Sequence, residues 1–492
     1  MGFKKRLGSV LWNSLGYMAG QAGLMVFSFI TFPLFTRLLS KSDYGLLSLT
    51  NTTLSILGLV VGLGLPNAVV RFAAEHQKEN NRDTYLRFNA TLLSGATVIA
   101  AVGAAAVLLL SALVPLSPEF QELRNTFQFV AAVLVSRAAM NILLEFYRVS
   151  RNVRGYNVVC LSNKIANVGC SIAGYWWLRT LSGLLMGMAA GEVLSTGIAA
   201  ALAYHRGYWT AIRPSMNDLS TGVRFAGTLM LGQVCASIMT YGDRYFIQGY
   251  LGPAAVAGYA VAYDFCLYIQ VLFTTSFRLS VLPEIVSKYT DAGPEEAGRF
   301  LAKSFQYFSW LMIGVGFGAV AVGQQFLTTL ASAKYADAGH LLPWLVPGIL
   351  LGSLSFLFSS GLYLAKRNDL WFWVAAASAL LNTGLNIILI PRIGVLGAAL
   401  STLITYVAQT IAVIIVSRPF LPVPFQLGSF VRTLVSGAIM FLLVRQFSVG
   451  WFNTFAAKVA CGVLVYSFAL IILEKQARQL VWSVCGGRSL AN

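Results

Sequence analysis

The chain has 492 residues, 57% of them hydrophobic and 11% charged. An ordinary soluble domain carries roughly 25% charged residues, so water is not the main solvent of this chain. Its net charge of +17 lies on no soluble basic face, which sets nucleic acid aside and assigns the excess to membrane topology.

A backbone in lipid satisfies its hydrogen bonds within helices, so apolar stretches of about 20 residues read as spanning helices. In chain order the windows fall at 10–35, 45–68, 88–114, 125–147, 156–178 and 181–204. A second series follows at 223–248, 254–281, 303–328, 341–364, 371–391 and 394–416, with two more at 430–447 and 452–473. The expected fold is an all-α polytopic membrane protein of about 14 transmembrane helices. Residues 1–212 and 213–425 would form two parallel six-helix bundles around a central cavity, and 426–492 an extra hairpin and tail. Met1 to Gly8 is a basic tail, and the run behind it lacks a small-residue cleavage signature, so it reads as a retained first helix.

Lys and Arg resist translocation, so their distribution orients the chain. Alternate connections, including the N-tail, 71–87, 148–164, 206–224, 288–303, 366–367, 418–432 and the C-tail, hold 24 basic residues against seven in the opposite set. Both termini are therefore expected in the cytoplasm. Trp12, Trp344, Trp371, Trp373 and Trp451 sit at helix ends, as an interfacial belt requires, whereas Trp310 does not. The six cysteines lack paired spacing and His76, His205 and His340 lie in polar connections, so neither a disulfide framework nor a metal site follows. No Walker lysine motif supports ATP hydrolysis.

An internal repeat appears at an offset of about 212 residues: Gly20-Gln21 falls on Gly232-Gln233, and Gly183 on Gly394. Tyr147-x-x-x-Arg151-Asn152 likewise matches Tyr363-x-x-x-Arg367-Asn368. Since six helices return the chain to one side, the copies share an orientation.

The run Phe32-Pro33-Leu34-Phe35-Thr36-Arg37-Leu38-Leu39-Ser40-Lys41-Ser42-Asp43-Tyr44-Gly45 resembles the N-terminal signature of the polysaccharide transporter family. Gly242-Asp243-Arg244-Tyr245-Phe246-Ile247 and Gly394-Val395-Leu396-Gly397-Ala398-Ala399 carry the resemblance through the twelfth helix. That family, which includes the O-antigen flippases, implies the fold of multidrug exporters and lipid II flippases. It also implies alternating access, a bacterial inner membrane, and an undecaprenyl-diphosphate-linked oligosaccharide as cargo for surface polysaccharide such as lipopolysaccharide.

A diphosphate needs cations if it is to cross a low-dielectric core. Arg137, about twelve residues or ~18 Å into the fourth helix, is the first choice for binding it. The alternative is a structural pair with Glu145 or Glu192. Arg244 and Arg278 either bind the head group or snorkel to the interface. Arg37 either gates or pairs with Asp43, and Arg71 either receives the head group or marks the cytoplasmic side. Asp264 and Glu192 lie near mid-bilayer, where they either couple a proton or sodium ion or pair with arginine; Asp243 and Glu145 complete the acidic candidates. Gln21, Asn51, Gln233, Asn382, Asn386, Tyr406 and Gln409 line a sugar path or bond between helices. No catalytic residue, metal or tightly bound cofactor is expected.

Three alternatives share this pattern. One is an organic-cation antiporter of the same fold, in which buried acids would outnumber buried bases. Another is a membrane glycosyltransferase or polymerase, for which the outside connections at 115–124 and 329–340 are short. The third is a scaffold binding a polysaccharide polymerase or other assembly proteins through the hairpin and tail, which is compatible with transport.

Overall fold

The computed structural model describes residues 2–78, 82–113, 120–446 and 454–485, with the side chains of 2–15, 73–78, 122, 228–229, 275–276, 279, 356, 368, 480–481 and 483–485 outside that description. The expectations that rest on the side chains of Lys4, Lys5, Arg6, Trp12 and His76, on Trp451, on the end of the C-tail and on residues 115–119 therefore fall outside that description. Among the described residues every regular element is a helix.

Two compact units divide the chain at Ala257 and Gly258. The first contains α1 (Gly2–Leu38), α2 (Lys41–Gly62), α3 (Leu65–Lys78), α4 (Arg82–Leu113) and the short α5 (Gln121–Arg124). It continues with α6 (Phe127–Val149), α7 (Val153–Leu178), α8 (Leu181–His205), α9 (Met216–Tyr241) and α10 (Asp243–Leu251). The long α11 (Pro253–Leu330) leads into the second unit, which holds a 3₁₀ segment (Ala333–Leu341), α12 (Leu342–Leu364), α13 (Asn368–Ile393) and α14 (Val395–Ser417). After these come α15 (Leu427–Gln446), α16 (Phe455–Leu473) and α17 (Lys475–Cys485).

Among the described residues twelve helices are long and apolar enough to cross a membrane, or 13 when Met216–Gly227 and Met230–Leu251, bent by 49°, count as one span. The helix α7 is absent from that set. Asn157, Asn163, Lys164 and Asn167 dilute its apolar character, and these polar residues matter below.

Backbone geometry divides several expected helices. The window at 45–68 becomes α2 and α3 because Leu63 and Gly64 take φ of 43° and 67°, which stops the helical ladder. The window at 223–248 becomes α9 and α10, which meet at Gly242. The connection at 288–303 is instead helical, broken where Gly293 takes φ 85°.

In the first unit α7 and α8 lie almost backbone to backbone. A Cβ on Gly187 would strike the Cys170 carbonyl, one on Gly191 the Ala166 carbonyl, and one on Gly174 the Gly183 carbonyl. Lipid offers no hydrophobic drive between helices, so such close approach supplies association through dispersion. Asn152 and Thr180 cap α7 and α8 by accepting from the Gly155 and Gly183 amides. Beside this hairpin α6 packs on α8 and α4. Leu65, Phe88, Leu92, Ile142, Phe146 and Ala199 form the apolar core there.

In the second unit α14 packs on both α12 and α13. Ser417 donates to the Phe358 carbonyl at 2.7 Å, joining α14 to α12. Gly394, at φ 66°, makes the α13–α14 turn, and a Cβ on Gly397 would strike Leu389. Trp310 is buried on α11, with its carbonyl accepting from Tyr466 of α16, so it is a packed core residue. The α15–α16 hairpin is tied to the start of α17 by Arg432, whose Nε donates to Glu474 at 2.9 Å.

Candidate functional site

The middle of the first unit carries three ionisable side chains on three adjacent helices. Arg137 lies midway along α6, Lys164 midway along α7 and Glu192 midway along α8. Since each residue rises about 1.5 Å, equal depth in helices of similar length brings them to one level.

Glu192 is the buried member, with its side chain 4% exposed. Asn167 donates from Nδ2 to Glu192 Oε2 at 2.8 Å. Arg137 approaches from the other side, its Nε 3.8 Å from Glu192 Oε1. That separation is an ion pair without a hydrogen bond, so Arg137 keeps its donors and its side chain stays 31% exposed. Lys164 is half-buried on α7, between Asn163 and Asn167, which reach Ser195 and Glu192 of α8.

A shell of hydroxyls and amides surrounds the charges. Asn163 donates to Ser195 Oγ at 2.8 Å, Ser195 donates to the Glu192 carbonyl at 3.1 Å, and Thr196 donates to the Ser136 carbonyl at 3.4 Å. The glycine contact is what lets Asn167 and Asn163 reach α8 at all. The triad holds two cations and one anion, an arrangement that suits an anionic ligand.

Arg137 therefore pairs with Glu192 and not with Glu145. Glu145 instead accepts from Arg148 Nη1 at 3.1 Å, one turn on. Arg244 is buried and donates to Ser48 Oγ at 2.9 Å and Thr52 Oγ1 at 3.4 Å, while its guanidinium lies 5.3 Å from the Tyr241 ring centroid. That makes it a tie between α10 and α2. Asp243 is fully buried beside it.

Arg37 is exposed at the end of α1. Its candidate partner Asp43 serves the N-cap of α2, where Ser40 Oγ donates to Asp43 Oδ2 at 2.7 Å and accepts from the Asp43 amide at 3.1 Å. Arg71 is exposed on α3, and Arg278 exposed on α11 of the second unit. Asp264 is half-buried on α11. Among the nine charged candidates the fold brings Arg137 and Glu192 together as an ion pair. Lys164 and Asn167 escaped the sequence reading: Lys164 was counted with a cytoplasmic connection, although it lies in mid-helix. The signal that would have found them is the run of polar residues at 157, 163, 164 and 167, which repeats at helical spacing.

Among the polar candidates, Asn386 donates to Asn382 at 3.0 Å and Asn382 to Thr405 Oγ1 at 3.5 Å, an interhelical use. No group of three or more metal-ligating side chains occurs among the described residues.

A family model described as polysaccharide biosynthesis protein matches residues 10–288, more than half of the chain. The chain belongs to that family. All nine charged candidates and Lys164 fall within the matched residues. A relative in Haloferax volcanii, the probable low-salt glycan biosynthesis flippase Agl15, is 20% identical over 266 residues, or 53% of this chain and 56% of that protein. The chain thus spans little more than half of that relative's length.

Among solved structures, the lipid II flippase MurJ in an inward closed conformation superposes with a TM-score of 0.75 at 15% identity, covering 94% of this chain and 99% of that one. An inward-facing multidrug resistance MATE transporter gives 0.62 at 12% identity, covering 80% and 97%. The Vibrio cholerae MATE transporter VcmN gives 0.57 at 14% identity, covering 84% and 96%. These likenesses establish a multi-pass helical membrane fold shared by the polysaccharide biosynthesis family, MurJ and the MATE transporters. The relatives named are transporters and flippases.

Proposed function

We propose that this chain flips a lipid-linked oligosaccharide across a membrane by alternating access, its diphosphate held by Arg137. The observation that carries this reading is the half-exposed Arg137 in mid-helix, which meets Glu192 at 3.8 Å without a hydrogen bond. An intramembrane cation with donors to spare can receive a phosphate, and a guanidinium does so bidentately. The glycan head group enters a polar level of the protein while the polyprenyl tail remains in lipid.

The cargo we favour is an undecaprenyl-diphosphate-linked repeat unit, and the setting a bacterial inner membrane with both termini in the cytoplasm. Membership of the polysaccharide biosynthesis family and the flippase named in Haloferax volcanii support the lipid-linked glycan. The excess of basic residues in alternate connections supports the orientation. Arg244, Arg278, Arg71 and Arg37 are secondary cations on this reading, and Asp264, Glu192, Asp243 and Glu145 the acids that would serve proton or sodium coupling or gating. An organic-cation antiporter is the competing reading. Two cations against one acid at the middle level of the first unit disfavour it.

Reconstitution tests the reading. The chain is placed in liposomes with a fluorescent polyprenyl-diphosphate oligosaccharide, and arrival in the opposite leaflet is followed by enzymatic access to the glycan. Wild-type vesicles are expected to translocate it, Arg137→Lys partly, and Arg137→Ala hardly at all. Undiminished translocation by Arg137→Ala removes Arg137 from the site. Export of ethidium without glycan movement would favour the antiporter.

A further inference from the structure

The three charges of the first unit are unequally satisfied. Glu192 has a short bond from Asn167 and the Arg137 guanidinium at 3.8 Å. Arg137 makes no hydrogen bond to a described residue, and Lys164 makes neither a hydrogen bond nor an ion pair within 4.0 Å to one, although it lies on α7 between Asn163 and Asn167, which reach Ser195 and Glu192. A guanidinium offers five N–H donors and an ammonium three. Two cations in mid-helix thus present a fork and a point charge with most of their donors unused. The buried Glu192 carboxylate is the counter-ion of Arg137.

Burying a charge without compensation is costly, so Glu192 has a physical role when no substrate is present. It neutralises one of the two cations while Asn167 holds it in place. Because the Asn167 bond involves Oε2 and the Arg137 contact Oε1, the carboxylate keeps its anchor when Arg137 turns away. Lys164, one helical turn from Asn167 on α7, remains beside it as compensation during that turn.

We infer that Arg137 and Lys164 form one two-cation seat for the diphosphate, and that Glu192 is its resident placeholder anion, displaced from Arg137 when the head group arrives. This inference rests on the flippase reading and adds to it a second binding cation, Lys164, and a competitor, Glu192. A diphosphate carries about two negative charges, so with Glu192 still anchored the triad passes from about +1 to about −1, and both cations are needed to offset the ligand. The exchange swaps one anion for another on Arg137, which keeps the step small and reversible. An organic cation would meet net positive charge here and be repelled.

The decisive feature is that Lys164 and Glu192 act with opposite sign on the same ligand. The full-length chain, purified in detergent, would be titrated by calorimetry at low salt with farnesyl diphosphate as the probe. Relative to wild type, Lys164→Gln is expected to weaken binding about tenfold or more, the scale of one charged hydrogen bond. Lys164→Arg should stay within about threefold, since charge and donors are kept. Glu192→Gln, which retains the acceptor for Asn167 but removes the competing charge, should bind the probe about tenfold more tightly.

A merely structural triad would give weaker or unchanged binding in Glu192→Gln, and that result overturns the inference. Unchanged binding in Lys164→Gln overturns it equally. Should Lys164→Gln fail to fold, the direction of the Glu192→Gln change decides alone. Failure of the wild-type protein to bind farnesyl diphosphate would overturn the diphosphate reading itself, an outcome distinct from wild-type binding with indifferent variants.

Discussion

Asn167 of α7 donates to Glu192 of α8 at 2.8 Å, across a helix contact that only glycine permits. One bond thus links the packing of the α7–α8 hairpin to the charge state of its middle. Each of the following predictions removes a single link of that kind.

Asn167→Ala deletes the short bond to Glu192 and leaves the carboxylate oxygen without its donor. A buried acceptor stripped of its partner costs about 1–3 kcal/mol. Thermal unfolding in detergent should show a lowered midpoint of that size, and Asn167→Gln, whose longer arm can still donate, should recover part of it. An unshifted midpoint in Asn167→Ala would mean that the bond adds no stability.

Gly187→Val should abolish the folded protein, because its side chain would meet the Cys170 carbonyl with no flexible atom to yield. Gly197 lies on the same helix with nothing within 4 Å of a built Cβ. Gly197→Val should accordingly fold to wild-type yield, as size-exclusion profiles of fluorescent fusions would report. Equal profiles for the two variants would contradict the backbone-to-backbone packing of α7 and α8.

Arg432→Ala leaves Glu474 buried, at 1% side-chain exposure, without the guanidinium that donates to it. Because Arg432 is itself 48% exposed, solvent screens part of the pair and the loss should be about 1–3 kcal/mol rather than the larger value of a fully buried pair. The double variant Arg432→Ala with Glu474→Gln should be more stable than Arg432→Ala alone. A melting experiment in which the second substitution restores nothing would show that Glu474 does not depend on Arg432.

Ser40→Ala removes the N-cap of α2 and should cost about 1 kcal/mol. Asp43→Asn keeps an acceptor for the cap but removes a charge. If Asp43 works through the cap, Asp43→Asn should affect stability only slightly and leave glycan translocation intact. Loss of translocation in a stable Asp43→Asn protein would show that the carboxylate charge beside Arg37 is used in transport.

Much of this molecule was legible because membrane insertion is a local property. An 18-residue apolar window reports its own transfer energy without knowledge of neighbours, so α4, α6, α8, α13 and α14 were found near their observed limits. The depth of Arg137 and Glu192 followed from the same arithmetic. The breaks at Leu63–Gly64 and Gly293 were not legible, since they depend on backbone torsions that an apolar run does not reveal.

Lys164 shows where local reading fails. Its helix carries Asn157, Asn163 and Asn167 as well, which lowered the apolar signal and left a lysine to be counted with the positive connection before it. Those residues are tolerated only because a neighbouring helix answers them: Asn163 meets Ser195, and Asn167 meets Glu192.

By itself, then, the sequence determined a helical membrane chain, its approximate spans and the existence of charge at mid-depth, because hydropathy and helical rise are properties of single segments. Tertiary structure alone decided that Glu192 rather than Glu145 faces Arg137, and that Lys164 joins them. Partner choice depends on which helix faces are pressed together, and here glycines on α7 and α8 bring two backbones close enough for short side chains to reach across.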